Sequence, residues 1–117
     1  LRGARAEVVR EAERALALLS AALPLEPEPW VNVVAWREAD AGFTLLLYPR
    51  AKHRHDAFHR GELIVSPAAI DLSGLVVTPV EKDFERLTGP ELRTLFEEVS
   101  IGEAELAAVV AGLGGAR

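Results

Sequence analysis

An α+β fold is predicted for this chain of 117 residues. Three observations predict it: apolar residues at helical spacing near the start, two β-rich runs joined by a short link, and two helix-start signals in the final third. Hairpin-length links cannot carry the crossover that parallel strands need. The sheet is therefore expected to be antiparallel, with helices packed on one side.

The first helix is expected over residues 5–23, where Val8, Ala12, Ala15, Leu16, Leu19 and Leu23 recur on one face. It stops at Pro24. The run Pro24-Leu-Glu-Pro-Glu-Pro29 reads as an extended connector, because each proline disfavours helical geometry in the residue before it. A sheet is expected across 30–79. Trp30-Val-Asn-Val-Val-Ala-Trp-Arg37 and Phe43-Thr-Leu-Leu-Leu-Tyr48 flank the turn Glu38-Ala-Asp-Ala-Gly42 as a hairpin. Glu62-Leu-Ile-Val-Ser66 and Gly74-Leu-Val-Val-Thr78 read as two further short strands. Helices return across 88–113. Thr88-Gly-Pro-Glu91 is a capping box, with the stripe Leu92, Leu95, Phe96 and Val99 behind it. Ser100-Ile-Gly-Glu103 repeats the box ahead of Leu106, Val109, Val110 and Leu113, and Gly112, Gly114 and Gly115 punctuate the end.

Composition removes several function classes. With no cysteine there is no disulfide framework, no thiolate zinc site and no cysteine nucleophile. No apolar run approaches the ~20 residues of a membrane span, so no membrane partner is expected and the cytoplasm is the expected compartment. Residues 1–117 are expected to form one domain. The chain begins with Leu1 and contains no Met, which leads to the expectation that it is the C-terminal part of a longer protein.

The formal net charge is −5, yet all three histidines and four of the thirteen Lys and Arg residues fall in Tyr48-Pro-Arg-Ala-Lys-His-Arg-His-Asp-Ala-Phe-His-Arg60. Local positive charge on an acidic chain suits an anion site. Four readings stand side by side. The run is a solvated loop whose histidines make ordinary hydrogen bonds; or His53, His55 and His59 hold a metal, with only Asp56 as a nearby carboxylate. Nucleic-acid binding is the third, and it is poorly supplied with stacking rings, since only Tyr48 and Phe58 flank the run; no nucleic-acid partner is expected. In the fourth, the run contacts phosphate: Arg50 grips oxygens bidentately, Lys52 adds a point charge and His53 donates or exchanges a proton. No cofactor is expected.

Other residues have plainer readings. Asn32 faces solvent, satisfies a backbone group or touches a ligand. Trp30 and Trp36 share a strand face and read as core in preference to base-stacking platforms. Asp71 reads as a turn residue bonding its own backbone, and Lys82 as solvated in preference to assisting a phosphate.

Several segments occur together in a recognisable order: Glu28-Pro-Trp-Val-Asn32 with Ala35-Trp36, Tyr48-Pro-Arg-Ala-Lys-His-Arg54, Ser66-Pro-Ala-Ala-Ile-Asp-Leu-Ser-Gly74, and Thr78-Pro79 with Asp83-Phe84 and Leu87-Thr88. They resemble the C-terminal part of an uncharacterised group of bacterial proteins in the histidine-triad-like superfamily. The relatives of that group include GDP-galactose phosphorylase, diadenosine tetraphosphate phosphorylase and galactose-1-phosphate uridylyltransferase. The resemblance implies a histidine-triad-like half-unit that binds a nucleotide or sugar phosphate through Arg50, Lys52, His53, Arg54 and Asn32. It also implies a partner, either the N-terminal half of its own parent protein or a second copy. Where the group has Pro this chain has His55, and where it has Gly this chain has Ala68 and Ser73. Such relatives attack phosphorus with the central histidine of His-x-His-x-His or His-x-His-x-Gln. Here His53-Arg-His55 is followed by Ala57, so the resemblance implies no catalytic residue in this chain and a nucleophile in the other half.

Overall fold

The computed structural model describes residues 1–23 and 27–114. Its elements run β1 (Arg2–Gly3), α1 (Arg5–Ala22), β2 (Val31–Arg37), β3 (Phe43–Pro49), α2 (Asp56–His59), α3 (Ala69–Leu72), α4 (Glu81–Arg86), α5 (Gly89–Val99) and α6 (Glu103–Gly112). Among the described residues, three antiparallel strands in the order β1-β3-β2 and six helices make this an α+β fold.

α1 buries Val8, Ala15 and Leu19, three of the expected stripe, while Leu16 stays 39% exposed. Its first turn is closed by the Glu7 carboxylate, which accepts the Ala4 N–H at 2.9 Å. The helix packs on β3 and against α6. The proline connector expected after it lies partly, at 24–26, outside the described residues.

The β2–β3 hairpin forms in the expected place, with Asn32 opposite Tyr48, Val34 opposite Leu46 and Trp36 opposite Thr44. Directly opposed residues share a face, so Asn32, Val34, Trp36, Thr44, Leu46 and Tyr48 line one side of the sheet. Ala35, Phe43 and Leu45 lie on the other, against α1. In the link, Glu38 N–H donates to Gly42 O at 2.8 Å and Ala41 adopts φ +66°, the left-handed position of a bulged hairpin turn. Trp30 and Trp36 are not core as expected: they are 40% and 43% exposed.

The sheet expected over 30–79 is shorter than that. Residues 62–66 and 74–78 form no strand, and the third strand is β1, paired through Arg2 with Thr44 and Gly3 with Phe43. The alternation in 62–66 has another cause. Leu63 and Val65 turn inward to join Leu95 in a buried cluster on which Ala57, Val76 and Leu87 pack. The backbone between them is served by side chains instead of a neighbouring strand. Ile64 N–H donates to Asp83 Oδ2 at 2.7 Å, Val77 N–H to Asp71 Oδ1 at 3.0 Å, and Val65 O lies 2.8 Å from His55 Nε2. Buried amides and carbonyls must find partners, and here buried Asp71, Asp83 and His55 supply them.

α5 starts on the expected capping box: Thr88 N–H and Oγ1–H donate to Glu91 Oε2 at 2.9 and 2.8 Å, and Glu91 N–H returns to Thr88 Oγ1 at 3.4 Å. The second box does not form. Ser100 is taken as the C-cap of α5, extended and bridged to Arg50, so α6 starts at Glu103 behind Gly102 without a side-chain cap. Glu103 and Glu105 instead place carboxylates in its positive first turn.

Candidate functional site

The basic run begins where β3 ends. Arg50 pairs across a β-bridge with Ser100, its N–H donates to Trp30 O at 2.8 Å, and the next amide, Ala51 N–H, donates to Val99 O at 2.9 Å. Residues 50–54 are thus strung between the start of β2 and the end of α5.

Arg50 does not offer its fork to solvent. It is 6% exposed, and its guanidinium donates inward: Nε to Lys52 O at 3.1 Å, Nη2 to His53 O at 2.8 Å and Nη1 to Pro67 O. All three nitrogens are spent on carbonyls that bend the loop around the arginine. Burial, then the nearby charge of Arg54, lowers its pKa from the ordinary arginine value, while Asp71 acts in the opposite direction.

Lys52 is engaged as well. Its Nζ bridges Asp56 Oδ1 and Glu98 Oε1, both at 2.9 Å, and the same Glu98 oxygen accepts Asp56 N–H at 2.9 Å. The bonds to Asp56 and then Glu98 raise the lysine pKa, and the bond from Lys52 lowers that of Asp56.

His53 is exposed, its ring set edge-on to Trp30 with centroids 6.2 Å apart and planes at 71°. Arg54 lays its guanidinium 4.4 Å from the centre of the Phe58 ring, and its Nη1 is a buried donor without a hydrogen-bond partner among the described residues. Asn32 Nδ2 is a second such donor. Asn32 and Trp30, two residues apart in extended chain, project to the same side. The structure therefore brings His53 to Trp30, packs Arg54 on Phe58, and turns Arg50 and Lys52 to other partners.

The metal alternative loses its central member. His55 is fully buried as the N-cap of α2: Nδ1 accepts Phe58 N–H at 3.1 Å, which leaves Nε2–H to donate to Val65 O. Neither nitrogen is free to coordinate. His59 is exposed beside Phe58, and among the described residues no group of three His, Cys, Asp or Glu side chains could hold a metal ion. Asp71 bonds its own turn as expected, accepting Ala68 N–H at 2.9 Å. Lys82 is not simply solvated, since Nζ donates to Glu62 O at 3.2 Å and Gly61 O at 3.4 Å.

Sequence reasoning missed His55 and Asp83 as organisers of this region. The signal available for His55 was its place immediately before Asp56-Ala-Phe-His59, an N-cap position. For Asp83 it was an acid in the first turn of α4.

The family described as GDPGP1-like, C-terminal domain matches residues 32–113, from Asn32 through the whole basic run to the end of α6. The chain belongs to this family. Membership relates it to GDP-galactose phosphorylase and makes it a phosphorylase-like family member whose chemistry is nucleotide-related at family level. Neither the comparison with curated proteins nor that with solved structures gives a match.

Two clefts of the GDPGP1-like domain are not lined by the basic loop. One of about 580 Å³ lies between α5 and α6, against Leu92, Phe96, Ser100 and Ile101; another of about 320 Å³ lies between α1 and the sheet. Both are mainly apolar; each has one arginine on its lining, Arg93 in the first and Arg5 in the second, accompanied by Glu97 and Glu103 or by Glu13. No helix among the described residues is long and apolar enough to cross a membrane.

Proposed function

We propose that this GDPGP1-like domain is the phosphate-contacting and structural half of a nucleotidyltransferase-like or phosphorylase-like protein of histidine-triad-like build, and that it carries no nucleophile of its own. One observation supports the reading most directly. Of the residues expected to meet phosphate, Arg54 Nη1 and Asn32 Nδ2 are buried donors without hydrogen-bond partners among the described residues. Unsatisfied buried donors are uncommon in folded proteins, and an ordered water or a bound anion relieves them. In this reading Arg54 and Asn32 contact the phosphate, His53 lends a donor at the rim, and Lys52 adds charge from its pair with Glu98. Arg50 contributes by fixing the loop. The partner that completes the pocket is the N-terminal half of the parent protein.

Calorimetric titration of the chain with inorganic phosphate, ribose 5-phosphate and nucleoside monophosphates tests this. Arg54→Ala is expected to weaken the phosphorylated ligands by about 10- to 150-fold, the size of a lost charged hydrogen bond. Its circular dichroism should stay that of the parent chain. Unchanged affinity in Arg54→Ala, or a parent chain that binds no phosphorylated ligand, removes the reading.

A second reading, a non-catalytic assembly domain, draws on apolar exposure. Val33 at 48%, Trp36 at 43% and Leu46 at 37% leave both faces of the hairpin partly open. Sedimentation velocity discriminates: concentration-dependent association that Trp36→Glu suppresses supports assembly of two copies, and a strict monomer at high concentration removes it.

A further inference from the structure

β2 stands at the edge of the sheet, in the order β1-β3-β2. Arg50 N–H donates to Trp30 O at one end of its ladder and Glu38 N–H to Gly42 O at the other, both at 2.8 Å. Antiparallel pairing alternates, so Asn32, Val34 and Trp36 also turn their backbone groups to β3, while Val31, Val33, Ala35 and Arg37 turn theirs outward. None of these outward groups has a hydrogen-bond partner among the described residues. Sheet edges are normally guarded by an inward charge, a lysine, a proline or a bulge. The stretch Val33-Val-Ala-Trp36 has none of them.

Both faces beside that edge are apolar and open. On the side of α1, Val33 is 48% exposed, and the cleft of about 320 Å³ is lined by exposed Ala35 together with Val9 and Leu16, which are 49% and 39% exposed. On the opposite side Trp36 and Leu46 are 43% and 37% exposed. α3 packs on β2, where Val31 and Asn32 are half-buried, and the exposed residues of the strand all fall in 33–37. What covers this edge must be an extended segment with apolar side chains on both faces. β2 is itself such a segment, and its only charge lies at its end, on Arg37. Parallel self-pairing would set the two Arg37 side chains next to each other, whereas antiparallel self-pairing separates them.

We propose that this edge joins a second copy of the chain, β2 against β2 across a two-fold axis at Ala35, so that two three-stranded sheets become one continuous sheet. In that register Ala35 N–H donates to the second copy's Ala35 O and receives the reciprocal bond, and Val33 exchanges the same pair of bonds with the second copy's Arg37. The two Arg37 residues then stand about 13 Å apart along the strands, four residues at ~3.3 Å each. Trp36 faces the second copy's Val34 at a non-hydrogen-bonded position, where side chains approach closest, and an aromatic against a β-branched residue is a favoured cross-strand pair. Ala35, the smallest side chain of the stretch, sits on the axis. This deepens the assembly reading above and rests on it for the association of two copies; it is independent of the phosphate reading.

Sedimentation velocity of the chain measures the association, and variants at Ala35 locate it. Ala35→Pro leaves the β2–β3 ladder its bonds, because Ala35 N–H points away from β3, and removes both bonds on the axis. Dimerisation is expected to weaken about 5- to 150-fold, the worth of two hydrogen bonds. Ala35→Lys charges the same exposed position without constraining the backbone; it is expected to weaken dimerisation too, with the circular dichroism of the parent chain, and carries the test should the proline disturb the strand. The chain has no cysteine, so a single introduced thiol reports on the joint without background. Opposed Cα atoms of a hydrogen-bonded pair lie about 5.5 Å apart, within disulfide reach, so oxidised Ala35→Cys is expected to run as a covalent dimer on a denaturing gel. Val31→Cys, set eight residues from its counterpart, is expected to run as a monomer. A strict monomer at high concentration overturns the joint and the assembly reading together. Association unchanged by Ala35→Lys, or crosslinking as fast through Val31→Cys as through Ala35→Cys, overturns the joint and spares assembly through another surface.

Discussion

Arg50 directs its charge inward, and its worth lies in what it holds. Three guanidinium nitrogens donate to the carbonyls of Lys52, His53 and Pro67, and the residue is almost fully buried. Removing it orphans carbonyls at ~1–3 kcal/mol each, so Arg50→Ala is expected to cost about 3 kcal/mol or more in urea unfolding. Arg50→Lys keeps the charge but brings one nitrogen to three acceptors, and should recover only part of the loss; full recovery would contradict the clamp. Lys52→Ala, in contrast, breaks exposed pairs and is expected to cost far less. The basic cluster itself was legible in the sequence, because charge and histidine content are visible locally. The division of labour within it was not, since Pro67 lies 17 residues from Arg50 and Val65 lies 10 from His55. No spacing rule joins positions that only the folded chain brings together.

At the scale of elements, the two helix starts separate what a motif promises from what the backbone allows. Thr88 closes its box on Glu91, whereas Ser100, with the same spacing to Glu103, is committed to ending α5 and bridging Arg50. Thr88→Ala is therefore expected to cost about 1 kcal/mol, the usual worth of an N-cap. Ser100→Ala should stay within about 0.5 kcal/mol; equal losses at the two sites would mean that α6 is capped in solution after all. The hairpin was readable because a period of two and a turn of fixed length specify both partners locally. The runs at 62–66 and 74–78 carry the same period, but alternation records only which side chains are buried. It does not record what accepts the hydrogen bonds, and here Asp83, Asp71 and His55 do the work of a neighbouring strand.

The molecule as a whole carries its resolved charge pairing on the surface. Hydrogen bonds from Lys52 to Asp56, from Arg60 to Glu62 and from the Thr88 backbone to Glu91 hold those three carboxyls below their ordinary pKa. A folded value below the unfolded one means that the stability they add is present above about pH 4.5 and is lost as pH falls through the folded values. Lys52 and Arg60 are shifted upward, so their share is complete below their unfolded values and lost only at strongly alkaline pH. Urea midpoints are expected to be level from about pH 5 to 8 and to drop below about pH 4.5. Glu91→Gln should soften that acid drop; an identical curve would mean that the Thr88 box adds nothing to it.

Val99 ties these scales together. Its carbonyl accepts Ala51 N–H at 2.9 Å and Lys52 N–H at 3.4 Å, while Ile101 N–H reaches back to Pro49 O at 3.4 Å. The Ala51 and Lys52 amides thus exchange with solvent when the last turn of α5 lets go, so Ala51 should share the protection factor of that turn. A ligand seated at 50–54 would then slow deuterium uptake in a helix it never touches, a footprint displaced from its cause.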